Sequence, residues 1–383
     1  MKLTIGMAHH SDFDGAYFTI QDIRKELLFN GRGDLLQNIE FIIAEDDQDG
    51  EHAKALKSFT AYNIGPQVSI VNLDSAHGTS ATRNKIIEEA TGQFVLVLDS
   101  HVLLCPTVKT IESIFTFMEY NKKTDDLYTG PLVYDNMGSI CTHLDNEWES
   151  GMWGKWGKAW QCMCESYNFS IVEKDKKCKF VSLVEQEEIH KCEVCGQEFP
   201  KDLNYMGHQQ KLNADGNSYL GYDSSTAPFE IYAQGLGLFL TRKVSWLGFN
   251  EHARGFGGEE CYIHEKYRQA GRKTMCLPFL KWLHRFDRAE KVKYSVSDTN
   301  KVKNYLLEFL ELGLDFTSVK DYFVKENKVS EQEFNTLLDE ALRLNGVETD
   351  TPEVSEKDLI DRIQALQDEL SSVSKNNQTV LTG

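Results

Sequence analysis

Apolar positions in the first hundred residues alternate between two periods. Short apolar runs, "KLTIGMA" (2–8), "IEFIIAEDD" (39–47), "VSIVNLD" (68–74) and "QFVLVLD" (93–99), predict strands. Between them, "FTIQDIRKELLF" (18–29), "EHAKALKSFTAY" (51–62) and "TSATRNKIIEEATG" (79–92) space their apolar residues three and four apart and predict helices, the last closed by Gly92. Strict strand–helix alternation makes a parallel sheet with helices on both faces, and the nearly continuous apolar strands fit burial on both faces. Ligands of such sheets sit beyond the carboxyl ends of the strands. Three of those ends carry acids: Asp46 with Asp47, Asp74, and Asp99.

From about 105 to 230 the pattern is irregular and rich in Trp, Tyr, Gly and Asn, with a charged insertion near 172–225. Strand and helix signals resume at "YAQGLGLFLTRKVSWLGF" (232–249), followed by the Gly-rich "GFGGEE" and the helix "CYIHEKYRQAG". Beyond 291 the chain turns helical, in "VKNYLLEFLELGL", "EQEFNTLLDEAL" and, after an acidic linker, "EKDLIDRIQALQDELSSV". The expected organisation is a main α/β domain over 1–290, a helical extension over 291–345, and a linker with an amphipathic helix over 346–383. In the last of these Leu359, Ile363, Leu366 and Leu370 could pair two copies or fold back on the body. No internal repeat is present.

Composition narrows the classes. A 41% hydrophobic and 26% charged content is ordinary for a globular enzyme, and 383 residues suffice for a full core. The net charge of −18 argues against binding nucleic acid through a broad basic face. No apolar run has secretory or membrane-spanning length, so a cytoplasmic protein with no membrane partner is expected. Its nine cysteines are then thiols or metal ligands rather than a disulfide frame.

Asp99 and His101 close the strand in "FVLVLDSHVLL" (94–104). Residues two apart project to one side of a strand, so a carboxylate and an imidazole can reach one point and suit Mn2+ or a related ion. The alternative, a turn-capping acid beside a solvent-facing histidine, stays open on these two residues alone.

The stretch "ATRNKIIEEATGQFVLVLDSH" resembles GT-A glycosyltransferases of the family-two group, whose pattern is A-R-N, an amphipathic helix ending A-x-G, an apolar strand, then D-x-D or D-x-H. The His variant is similar to the "LDxHCE" of polypeptide N-acetylgalactosaminyltransferases. The resemblance implies a GT-A, Rossmann-like mixed sheet with flanking helices. It also implies that Asp99 and His101 hold a divalent cation, Mn2+ or Mg2+, which bridges the diphosphate of a nucleotide sugar. Arg83, Asn84 and Gly78 match donor-side positions. Two departures are Val102-Leu103 in place of "CE" and Lys85 in place of a common glycine. "IEFIIAEDDQD" resembles the "IIVVDDxS" segment whose acid accepts from the nucleotide base; Asp46 and Asp47 are both candidates.

"ARGFGGEECYIHEKYRQAGRK" resembles the "WGGENxE" and "GEDxxLxxR" motifs of the same enzymes. In inverting members an acid there takes the acceptor hydroxyl's proton. Position favours Glu260 as that base and Glu259 as an acceptor- or sugar-binding residue, with Gly257 and Gly258 letting the backbone approach substrate. Acids at a helix start could instead serve the helix dipole alone. In "LPFLKWLHRF", His284 resembles the third metal ligand of "VGHxFR", and Arg285 then lies near the phosphates. "GLGLFL" resembles a stretch lining the acceptor side, which implicates Gly235 and Gly237. Trp153, from "GMWGKWGKAW", offers an aromatic face for a sugar or for the core.

Within the insertion, Cys192, Cys195 and His208 follow C-x2-C-x12-H, a zinc-finger-like spacing that lacks its second histidine. His190 or Cys178 could supply a fourth ligand, and structural Zn2+ is expected there. Taken together, the expected activity is transfer of a sugar, hexosyl or pentosyl, from a UDP-sugar donor to a hydroxyl. By analogy with phage enzymes acting in the host cytoplasm, the acceptor could be hydroxymethylated pyrimidine in DNA. Protein Ser/Thr or a surface glycan is the alternative, and an inactive GT-A fold serving as a zinc-bearing binding module is a third reading. A nucleotidyltransferase is disfavoured, because no glycine-rich phosphate signature follows the first strand.

Overall fold

The computed structural model describes residues 1–47, 49–62, 68–73, 77–104, 109–135, 140–157, 160–161, 181–182, 228–286 and 296–346. In chain order the first half supplies β1 (Leu3–His9), α1 (Phe13–Phe29), β2 (Ile39–Glu45), α2 (Glu51–Tyr62), β3 (Val68–Asn72), α3 (Thr79–Glu89), β4 (Phe94–Asp99), β5 (Val102–Leu104), α4 (Thr110–Tyr120), β6 (Leu127–Thr129) and β7 (Leu132–Tyr134). Short strands β8 (Ile140–Cys141), β9 (His143–Glu149), β10 (Met152–Gly157), β11 (Trp160–Gln161), β12 (Val181–Ser182) and β13 (Phe229–Glu230) follow. The remainder is β14 (Leu238–Arg242), α5 (Glu259–Gln269), β15 (Thr274–Cys276), β16 (Trp282–His284), α6 (Asp298–Leu312), α7 (Thr317–Lys325) and α8 (Glu331–Leu344).

The main sheet runs β13-β15-β6-β14-β4-β1-β2-β3. β4, β1, β2 and β3 are parallel, as the alternation requires; β14 pairs antiparallel with β4 and makes the sheet mixed. Side-chain alternation divides the strands between two cores. Leu3, Ile5, Met7, Leu96 and Leu98 pack with Ile20, Ile23 and Leu27 of α1 on one face. Val95, Val97 and Phe239 pack with Ile86 of α3 and Tyr262 and Ile263 of α5 on the other. The strands therefore read as unbroken apolar runs.

A second sheet, β5-β16-β7-β8, stands beside the first, with His284 in register with Val102. The hairpin β9–β10 and helices α6 to α8 share a third core around Tyr305, Phe309, Phe316 and Phe323. Trp148, Trp153 and Trp156 join that core, and the backbone N–H groups of Gly151 and Trp153 donate to the hydroxyls of Tyr322 and Tyr305. Ser297 and Ser330 cap α6 and α8 through their side chains, and Gly313 ends α6 in the left-handed conformation. Among the described residues no helix is long and apolar enough to cross a membrane. The zinc-finger-like set (Cys178, His190, Cys192, Cys195 and His208) and the final amphipathic segment lie outside the described residues.

Candidate active site

β1 is flanked by β2 on one side and β4 on the other, so the chain direction of the crossovers reverses there and a crevice opens beyond the strand ends. A cleft of about 220 Å³ occupies it. Its walls come from the end of β1 (Ala8, His9, His10), Asp46 after β2, Gly78 and Thr79 at the start of α3, and Asp99, Ser100 and His101 after β4. Gly255, Phe256 and Asn300 close the far side.

The two imidazoles reach one point because the second sheet aligns them. β5 and β16 pair antiparallel, and the Arg285 N–H donates to the His101 carbonyl. His101 Nε2 lies 3.1 Å from His284 Nε2, and His284 Nε2 lies 3.9 Å from Asp99 Oδ2. The three ligand atoms all fall within 4.8 Å of one another. Asp99 ends β4, whereas His101 follows in the turn to β5; the residues meet through that turn rather than through a continuous strand.

Arg83 divides the labour of Asp99. Its Nη2 donates to Asp99 Oδ1 at 3.0 Å, leaving Oδ2 facing the histidines, and its Nη1 donates to Glu259 Oε1 at 2.9 Å. Burial opposes ionisation of Asp99, but the Arg83 guanidinium, with the His284 and His101 contacts, outweighs it and holds the carboxyl well below its usual range. An ionised carboxylate and two imidazole nitrogens aimed at one centre form a donor set for a borderline divalent cation such as Mn2+, and the residues fit that group.

Around this centre the predicted residues separate. Asp46 lines the cleft and accepts from the backbone N–H groups of His77 and Gly78 at 2.8 and 3.1 Å; burial raises its proton affinity. Asp47 instead accepts from the Ser11 hydroxyl and is absent from the cleft lining. Gly78 has φ +94°, and a Cβ there would lie 2.0 Å from the Gly255 carbonyl oxygen; the close approach of these two loops shapes the cleft. Asn84 points away, accepting from Trp246 Nε1 and the Phe249 N–H and donating to the Phe249 carbonyl.

The two acids after the glycines differ. Glu259 is buried, and its Oε1 accepts from both Arg83 and the Thr79 hydroxyl. Glu260 is partly exposed at the start of α5, and burial followed by the neighbouring Glu259 pushes its carboxyl up to about 8. Behind them Glu308 of α6 is fully buried, and a Cβ on Gly258 would lie 2.8 Å from its Oε2. Asn304 fastens the same loop by donating to the carbonyls of Arg254 and Gly257, while Gly257 packs on Lys301.

On the expected acceptor side, Gly237 touches Trp282 and His284, its carbonyl accepts the Asp99 N–H, and Gly235 lies against Trp156. Trp153 is core: its indole N–H bonds Asn146 and its ring packs on Phe309. Arg285 follows His284 and donates to Asp12 at 3.0 Å. Asp12, His9 and Asn300 are absent from the sequence-based set, whereas Phe256 belongs to the Gly-rich stretch singled out there. α1 begins at Phe13, five residues before the expected start at Phe18, so the apolar spacing does not mark Asp12 as its cap.

Residues 19–159 match the glycosyl transferase family 2 profile. No curated protein matches the sequence. Among solved structures, the chain is similar to GalNAc-T7 solved with UDP, GalNAc and Mn2+, at 14% identity and a TM-score of 0.50 over 89% of this chain and 54% of that one. It is also similar to residues 1–349 of S. aureus TarS in complex with UDP-GlcNAc, at 12% identity and a TM-score of 0.45 over 91% of this chain and 84% of that one. The chain thus spans about half the length of the GalNAc-T7 chain. Asp46, Gly78, Arg83, Asp99 and His101 fall inside the family-matched segment, whereas Glu259, Glu260 and His284 lie beyond it. The mixed sheet with flanking helices fits a GT-A fold, and residues 19–159 carry the pattern of family-two glycosyltransferases within it.

Proposed function

We propose that the protein is a divalent-cation-dependent glycosyltransferase that moves a sugar from a UDP-sugar donor to an acceptor hydroxyl. The observation that carries this reading is the convergence of Asp99, His101 and His284 at the end of a cleft whose other walls include Asp46 and Gly78. Asp46 offers a carboxylate to a uracil N3–H. Arg83 keeps Asp99 ionised and oriented, and the β5–β16 pairing fixes both imidazoles. When bound, the cation supplies a positive centre that stabilises charge on the departing diphosphate. Glu260, the more exposed of the paired acids, receives the acceptor proton. Glu259 holds Arg83.

UDP-sugars are screened with Mn2+ and the release of UDP is measured, using peptides, saccharides and hydroxymethylated DNA as acceptors. UDP release that is abolished by chelation and by His101→Ala or His284→Ala supports the reading. Turnover at the native rate in the histidine variants removes the cation assignment. Binding of UDP-sugars with no transfer to any hydroxyl or to water favours the non-catalytic module instead.

A further inference from the structure

The turn that carries His101 is gripped from the first turn of α1. Asp12, the N-cap of that helix, accepts the Gly15 N–H through Oδ1 at 3.3 Å. Its Oδ2 accepts the Ser100 hydroxyl at 3.1 Å and lies 3.2 Å from His101 Nδ1. Oδ1 also accepts Arg285 Nη2 at 3.0 Å. About two helical turns later, the Thr19 hydroxyl lies 3.0 Å from the Ser100 carbonyl oxygen and 2.7 Å from that of Val102. Between them, Gly15 leaves room for the approach, since a Cβ there would lie 2.5 Å from Asp12 Oδ2 and 2.7 Å from the Ser100 carbonyl.

The chemistry of His101 gives this grip a consequence. A neutral imidazole carries one proton, and only the other nitrogen can donate a lone pair to a cation. A carboxylate beside Nδ1 stabilises the proton there and leaves Nε2 as the ligand atom, which is the nitrogen that faces His284 Nε2. The same carboxylate ties Arg285, which follows His284 in the chain, to the opposite side of the site.

We infer that Asp12 is a positioning residue of the cation site, fixing the His101 tautomer and joining α1, the 100–102 turn and the end of β16 into one ligand frame. The inference rests on the reading of Asp99, His101 and His284 as cation ligands. Its capping role is separable, because Asn and Ser both cap helices well. Asp12→Asn removes the charge, and Asp12→Ser withdraws the acceptor from His101 while leaving a hydroxyl for Gly15.

Two measurements test it. Mn2+ titration without nucleotide sugar, followed by calorimetry or by the resonance of free Mn2+, should show affinity falling about 10- to 100-fold in both variants while the melting temperature stays within about 1 °C. Nitrogen NMR of the metal-free protein should show the Nδ1–H tautomer of His101 in the native chain and a mixture in the variants. A wild-type tautomer and unaltered Mn2+ affinity in both variants would overturn the inference, as would a lowered melting temperature with unchanged affinity. If the native chain binds no Mn2+, the functional reading fails, and the metal-free tautomer measurement still decides the role of Asp12.

Discussion

Replacing Arg83 by Met tests whether one guanidinium holds the site together. Arg83 is buried, with its side chain 4% exposed, and it bridges Asp99, 20% exposed, to Glu259, 2% exposed. Met keeps most of the volume and none of the charge, so two carboxylates lose their common partner while Glu260 lies close enough to repel both. Removing one member of a buried ion pair costs about 3–5 kcal/mol, because the remaining charge is stranded. At about 2.1 cal/mol/K per residue over 383 residues, that predicts a fall in melting temperature of about 4–6 °C. Scanning calorimetry at pH 7.5 measures it. Two further arms identify the cause. Adding Glu259→Gln to the variant removes one stranded charge and should restore part of the loss, and saturating Mn2+ should stabilise Arg83→Met more than the native chain. A single variant within 1 °C of the native melting point refutes the reasoning, and so does a double variant that melts lower than the single one.

Further outcomes follow from the same geometry. Glu260→Gln should lower kcat about 10²- to 10⁴-fold while leaving UDP-sugar affinity within about twofold, checked by steady-state kinetics and donor titration. Because the Glu260 carboxyl is pushed up to about 8, the ionised fraction able to accept a proton grows about tenfold per pH unit well below that value, so kcat measured between pH 6 and 9 should rise with pH, pass half its maximum near pH 8 and level off only above it. Glu259→Gln removes the neighbouring charge that helps raise Glu260 and should move that limb to lower pH. The linked stability signs are opposite for Glu260 and Asp99. A raised carboxyl stabilises the fold at low pH and loses that contribution as pH climbs through about 8; the depressed Asp99 stabilises above its ordinary range and loses it on acidification, which urea melts at pH 4, 7 and 9 resolve. Gly78→Ala forces a side chain into φ +94° against the Gly255 backbone and should cost at least about 1–3 kcal/mol and weaken UDP binding, read by thermal melts and calorimetry.

The β1-to-β4 half of the fold was legible because local pattern and final burial agree: each strand alternates between two apolar layers, and each helix buries one stripe. The middle was harder. α4 is a regular amphipathic helix that buries Ile111, Ile114 and Met118, but its neighbours are strands of two or three residues, too short to establish a period. The tryptophans of the hairpin look like sugar platforms in isolation, and their partners, Tyr305, Phe309 and Tyr322, lie about 150 residues later, where no local rule reaches. Among the candidate site residues, Asp99 and His101 stood out as polar residues at the end of an apolar run, whereas His284 was readable only through resemblance. The choice between Asp46 and Asp47 depended on which carboxylate the loop at 77–78 covers, a contact between separate crossovers. Asp12 was missed because the apolar spacing placed the helix start at Phe18 rather than Phe13, and its contact with Ser100 depends on where a distant turn comes to rest.

Helix α6 gives the cleft a dependence that chain order conceals. Asn300 forms part of its wall, Asn304 pins the carbonyls at 254 and 257, and Glu308 backs the glycine just ahead of the paired acids. A fragment ended at residue 290 would retain every proposed cation ligand yet lack the brace that presents Glu259 and Glu260. In such a fragment cation binding could survive while transfer fails, which would make the post-290 helices part of the catalytic apparatus rather than an appendage.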